Sequence, residues 1–239
     1  MDVTDTFGTD TDPLTLAGRL VDHCVRLTSA SAAGLMLVDA RDRLRPLVAS
    51  DRPTEALLAL ELDAEAAPDL DCRHSGTPVV AAPLDGFAER WPRFTAAAAD
   101  RGFRAVYAAP VRVGGHPVGV LSLLGAGPDA PSADEMELIS ALAAVALGSM
   151  MRWRAEPARP SDILTRVQSV ISAKAAVETA VGMLAATGRT TVGEAARELE
   201  RYCRHEGFRA AAVARWLLDG TVTPESVLAA ARQLRGPAT

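Results

Sequence analysis

The chain has 239 residues, enough for one large or two small domains. Hydrophobic residues make up 49%, charged residues 23% and aromatic residues 4%. This composition excludes a disordered or low-complexity chain and requires a core of Ala, Leu and Val. The net charge of −5 excludes a nucleic-acid footprint spread over the whole molecule.

No apolar run approaches 18 residues without a charge, so neither a membrane-spanning helix nor a membrane partner is expected. Residues Met1 to Pro13 are acidic and polar, lack a signal-peptide apolar region and read as a disordered tail. The cysteines, Cys24, Cys72 and Cys203, are few, odd in number and widely spaced. They fit a reducing cytoplasm better than a disulfide framework or a zinc site.

In chain order, Leu14 to Leu27 places Leu16, Leu20, Cys24 and Leu27 on one helical stripe. Ala33 to Val38 is a buried strand, and Leu44 to Ala49 completes a hairpin with it. Thr54 to Leu62 reads as a short helix and Val79 to Ala81 as a brief strand. Phe94 to Arg101 is a helix closed by Gly102. Ala105 to Ala109 and Val111 to Val113 are strands, and Gly114-Gly115 turns into a strand from Val118 to Leu124. Ser132 caps a long helix through Trp153, with Asp134 and Glu135 in its first turn. Strands near both ends with helices outside them predict an α+β domain, a central antiparallel sheet flanked by helices.

Pro157 and Pro160 mark a linker or kink over 156–162. Beyond it Ile163, Val167, Val170, Ile171, the stem of Lys174, Val177, Val181 and Leu184 follow steps of three and four, the seam of a long helix. Helices follow over Gly193 to Arg204 (Ala195, Ala196 and Leu199 inward), Arg209 to Leu218 (Val213, Trp216 and Leu217 inward) and Pro224 to Leu234. The charge is uneven. From Ser161 onward 10 Lys and Arg oppose 8 Asp and Glu, a net of +2, whereas the preceding part carries −7. An acidic front and a weakly basic back point to different partners.

Residues 14 to 152 resemble a GAF domain of the kind found in actinobacterial regulators. The resemblance rests on Glu89-Arg-Trp-Pro-Arg-Phe94, Arg101-Gly-Phe-Arg-Ala-Val-Tyr-Ala-Ala-Pro-Val-Arg-Val113, Gly119-Val-Leu-Ser-Leu-Leu124 and Ser132-Ala-Asp-Glu-Met-Glu-Leu138. Residues 163 to 219 resemble an ANTAR domain, a three-helix RNA-binding module of transcription antiterminators. There Lys174 takes the family's basic position, Val177 an aliphatic one, Ala180-Val181-Gly182 the central triplet and Met183-Leu184 the apolar pair. Val181 stands where the family has a lysine. Glu194-Ala195, Leu199, Arg209, Val213 and Ala214 fit the second and third helices.

Between the polar tail over 1–13 and the extra C-terminal helix and tail over 221–239, the resemblance implies a GAF sensor domain over 14–155 and an all-α ANTAR-like domain over 163–220. It also implies a cytoplasmic, non-enzymatic antitermination regulator. Such a protein would bind RNA hairpins in nascent transcripts, with a possible small-molecule ligand in the GAF domain. A homodimer is expected because the long helices Ser132–Trp153 and Asp162–Leu184 offer apolar seams to a second chain.

The RNA-binding candidates are Lys174, Arg189, Arg197, Arg201, Arg204 and Arg209, since guanidinium forks suit phosphate and stacking contacts. The opposing reading is a solvated face balanced by Glu194, Glu198, Glu200 and Glu206. Tyr202 is either a stacking residue or half-buried. The ligand-pocket candidates are Asp69, Cys72, His74 and Tyr107. His74 is also the side chain a haem would take. No metal site is expected and no cofactor is named. Two other classes compete: a sensory or interaction module whose ANTAR part no longer binds RNA, and a thiol reductase using Cys24 and Cys72.

Overall fold

The computed structural model describes residues 12–64, 66–150 and 160–234, so expectations for 1–11, 151–159 and 235–239 lie outside the described residues. The chain forms two compact units, one ending at Val170 and one beginning at Ile171.

In the first unit, α1 (Pro13–Leu27) starts on Asp12, whose carboxylate accepts from the Leu14 and Thr15 amides, with Pro13 at the first helical position. It buries Leu16, Leu20, Val21 and Cys24. Leu27, expected on the same stripe, is exposed at the helix end. β1 (Ala32–Val38) and β2 (Leu44–Ala49) form the expected hairpin. The Asp39 carboxylate closes it by accepting from the Arg41 and Arg43 amides and pairing with Arg45. Then follow α2 (Arg52–Glu61), α3 (Pro68–Ser75), β3 (Val79–Ala81), a 3-10 turn (Leu84–Phe87) and α4 (Pro92–Asp100).

The two strands predicted on either side of Pro110 are one, β4 (Ala105–Val113), with a register shift at Val111/Arg112. Gly114 and Gly115, both at positive φ, turn it into β5 (His116–Gly125). α5 (Ala133–Met150) closes the unit.

The five strands are antiparallel in the order β2-β1-β5-β4-β3. Successive side chains alternate between the faces. Met36, Val106, Ala108, Val120, Ser122 and Leu124 share one face, and α2, α3 and α4 cover it with Leu57, Leu58, Cys72, Trp91 and Phe94. Gly34 and Gly119 hold the central strands where a larger residue has no room. A Cβ on Gly34 would lie 2.5 Å from Leu58 Cδ1, and one on Gly119 would lie 2.1 Å from the Met36 carbonyl oxygen.

α6 (Pro160–Gly188) contains the boundary between the units. The helix already begins at Pro160, inside the predicted linker; the rest of that linker up to 159 is outside the described residues. Its seam is divided. Ile163, Val167 and Val170 are buried, and the Gln168 side chain accepts from the Ala40 amide. Ala180, Val181, Leu184 and Ala185 belong to the core of the second unit.

Contrary to the expectation from sequence, Asp162–Gly188 is long and apolar enough to cross a membrane, with mean hydropathy 1.3 over 18 residues. Asp162, Arg166, Lys174 and Glu178 interrupt every apolar run in it, yet its mean over 18 residues stays apolar. Its C-terminal turns are committed to the bundle.

The second unit continues with α7 (Val192–Glu206), α8 (Ala210–Leu218) and α9 (Pro224–Gln233). Thr191 and Glu194 form a reciprocal capping box at the start of α7, and Gly207 ends it in the left-handed region. Ala195, Leu199, Cys203, Val213, Ala214, Leu217, Val227 and Leu228 meet in one core. The last helix therefore completes the bundle; it is not an appendage to three helices. Ala196, expected inward, is exposed, and Glu198 is buried in its place.

Candidate functional site

The stretch around Asp69, to which the sequence assigns no element, folds as α3. Pro68 occupies its first position, Asp69 and Asp71 lie in its first turn where the dipole favours carboxylates, and Gly76 closes it. Asp69 and Cys72, three apart, turn toward the sheet. Asp71 turns outward and accepts from Arg90 Nε (2.8 Å) and Trp91 Nε1 (3.0 Å), tying α3 to the start of α4. This explains the Glu89–Phe94 motif: Trp91 is a buried anchor stacked on Phe87, Pro92 starts the helix and Phe94 enters the core.

Asp69 is fully buried. Ser122 Oγ, on β5, donates to Asp69 Oδ2 at 2.5 Å, and the Asp69 amide donates to Glu61 Oε2, at the end of α2, at 3.2 Å. Asp69 Oδ1 is buried with no hydrogen-bond partner among the described residues. Burial disfavours both charged forms. It pushes the Asp69 carboxyl up to about 6, and with repulsion from Asp69 it drives Glu61 well above the usual carboxylate range. Both carboxyls are thus shifted toward their protonated forms inside the core.

Sequence reasoning missed Glu61 and Ser122. Both left a signal: Glu61 lies three and four residues beyond the inward Leu58 and Leu57, and Ser122 is the one polar residue within the apolar run Val118 to Leu124.

Of the four pocket candidates, only Asp69 and Cys72 come together. Cys72 packs among Met36, Ala108 and Val120, and burial pushes its thiol up to about 12. Cys24, on α1, is pushed up equally and is also a free thiol. His74 is exposed near the C-terminal end of α3. Tyr107 is one residue out of phase with Ala108, so it faces the other side of the sheet, where it lines a cavity of about 130 Å³ with Leu123, Ser29 and Asp129. Among the described residues no group of three or more His, Cys, Asp and Glu side chains is placed to hold a metal ion.

In the helical unit the basic candidates divide by burial. Arg201 Nη1 pairs at 2.6 Å with Glu198, whose side chain is 3% exposed, so this arginine serves the fold. Lys174 is half-buried and pairs with Glu178 at 3.3 Å. Arg189, Arg197, Arg204 and Arg209 are exposed. The balancing glutamates are not all solvated. Glu194 is consumed by the capping box and Glu198 is buried, which leaves Glu200, paired with Arg204, and Glu206, beside His205. Tyr202 packs against the core. Val181 is a core residue, so the phosphate contact expected of a lysine there has no counterpart.

The GAF domain family profile matches residues 10–147, more than half of the chain, and the chain belongs to that family. No functionally curated protein matches it. It is similar to a domain of a two-component sensor histidine kinase protein from Sinorhizobium meliloti 1021, at 16% identity, with 59% of this chain and 92% of that one covered and a TM-score of 0.48. It is also similar to the GAF domain region of a membrane protein from Geobacter sulfurreducens PCA (15% identity, 59% and 94% covered, TM-score 0.49). A free methionine-R-sulfoxide reductase from Neisseria meningitidis is similar at 15% identity, with 71% and 86% covered and a TM-score of 0.45.

Proposed function

We propose that the protein is a cytoplasmic, non-enzymatic signalling regulator. Its GAF unit responds to a small molecule or to a change in the buried carboxyl pair, and its C-terminal helices bind RNA hairpins in nascent transcripts, acting as a homodimer. The observation that carries the output half is how the ANTAR-like positions fall in the bundle. Ala180, Leu184, Ala195, Leu199, Val213 and Ala214 all lie in one core, while Arg189, Arg197, Arg204 and Arg209 remain on the surface. Exposed guanidinium groups neutralise phosphates, and paired modules gain from effective concentration.

A gel shift with paired hairpins, titrated with salt, tests the reading. Binding weakens with salt, and the double variant Arg197→Gln/Arg204→Gln flattens the salt slope by about 2 without changing the fold. Arg201 is unsuited to this test because its loss disturbs Glu198.

The second reading is a sensory or protein-interaction module with a degenerate ANTAR part. The buried Val181 favours it, since that position offers no charge. Absence of binding at low salt selects it over the first.

A further inference from the structure

A second concave site lies away from the acidic cluster, between the 3-10 turn Leu84–Phe87, α4 and the chain entering β4. It encloses about 400 Å³, room for roughly a dozen non-hydrogen atoms at about 30 Å³ each. Leu84, Ala99 and Phe103 supply apolar lining, Thr95 a polar wall, and Asp85 and Arg104 the charges.

Two features separate this cleft from a packing defect. The first is Thr95, 8% exposed, whose hydroxyl is buried without a hydrogen-bond partner among the described residues. Ser140, Ser169 and Thr179, on other helices, donate to the carbonyl four residues back. Thr54 on α2 shares the unpartnered state, but Thr95 is the one whose side of the helix lines this cleft. A helical threonine divides between two χ1 rotamers, so one rotation exchanges its methyl and hydroxyl and offers the donor to a ligand.

The second is Arg104. Its backbone is fixed on both sides, accepting from the Leu84 amide (2.8 Å) and donating to the Gly125 carbonyl (2.7 Å). Among the described residues its exposed guanidinium has no ion pair or hydrogen bond. A cation on an anchored backbone beside an apolar cleft is the donor set for a planar anion.

We propose that this cleft binds a small organic monocarboxylate with an apolar body. Its carboxylate pairs with Arg104 and accepts from Thr95, and its body lies against Leu84, Ala99 and Phe103. One arginine with Asp85 on the same site disfavours a phosphate dianion. The inference is independent of RNA binding and of the Asp69 cluster.

The test is a titration of the full chain with phenylacetate, followed by amide chemical shifts and calorimetry. Phenylacetamide and inorganic phosphate are the controls. Phenylacetate produces saturable shifts at Thr95, Ala99, Phe103 and Arg104 with a Kd of about 1 mM or tighter. Phenylacetamide and phosphate bind at least about tenfold more weakly. Arg104→Gln weakens phenylacetate by about tenfold, and Thr95→Val weakens it severalfold while its Tm stays equal or rises, because the unpartnered hydroxyl is gone. The proposal is overturned by any of three results: no saturable shift up to about 10 mM, shifts centred elsewhere, or equal affinity for the amide.

Discussion

At the residue scale, the buried carboxyls set how stability depends on pH. Asp69 rises from 3.8 to about 6 on folding, and Glu61 rises further above its usual value. The folded chain therefore binds more protons than the unfolded one above pH 4, so stability is full below that pH and is lost as pH rises through about 6 and beyond. Glu135 works the other way. Amides of Ser132 and Ser29 hold it down at about 2, so its contribution is present above 4.5 and lost as pH falls toward 2. The urea midpoint of the GAF unit should peak near about pH 5 and decline toward pH 8. Glu61→Gln should flatten that decline and raise the midpoint at pH 8. A wild-type midpoint that climbs from pH 5 to 8 would contradict the assignment.

The same scale separates two arginines that look alike in sequence. Arg201→Ala strips the partner from a buried carboxylate and should cost about 2 kcal/mol, reduced from the fully buried case by Arg201's own exposure. Arg204→Ala removes a surface pair with Glu200 and should change stability by less than about 0.5 kcal/mol. Thermal melts of the two variants compare them directly.

At the element scale, the central strands depend on close backbone approach. Gly119→Ala would drive a Cβ against the Met36 carbonyl on the neighbouring strand, and backbone cannot move aside as a side-chain end can. The expected cost is about 3 kcal/mol, read as a lower urea midpoint and as faster exchange of the β1 and β5 amides. The long helices and the hairpins were legible because their apolar spacing extends over many residues. α3 was not. It is eight residues long, mostly polar, and only two of its inward positions are distinctive. Its helicity comes from Pro68, the acidic first turn and Gly76, and from docking on the sheet. Glu198 is placed on a solvated face by the sequence for a related reason: a glutamate next to the core stripe of α7 reads as surface until Arg201 and the packing around it are known.

At the scale of the whole molecule, the seam of α6 that the sequence offered to a second chain is covered within this one at Ile163, Val167 and Val170. The apolar surface left for a partner includes Leu138 and Val145 on α5. If the chain dimerises through that helix, Leu138→Asp/Val145→Asp should shift the sedimentation coefficient to that of a monomer and leave the melting temperature of dilute protein nearly unchanged. A dimer that survives the double change uses another surface.

Sequence alone determined the class of the first unit and the existence of a second. Periods of two and 3.6 residues identify strands and helices locally, and the pattern of residues around Trp91 and Tyr107 carries the family likeness. Tertiary structure alone decided which polar residues are buried. A side chain's exposure depends on what long-range contacts cover it, so Asp69, Glu61 and Ser122 became one buried, hydrogen-bonded cluster. His74 and Tyr107 parted from it, and Val181 became core. The arginines divided in the same way, into one that holds a buried carboxylate and others that remain exposed.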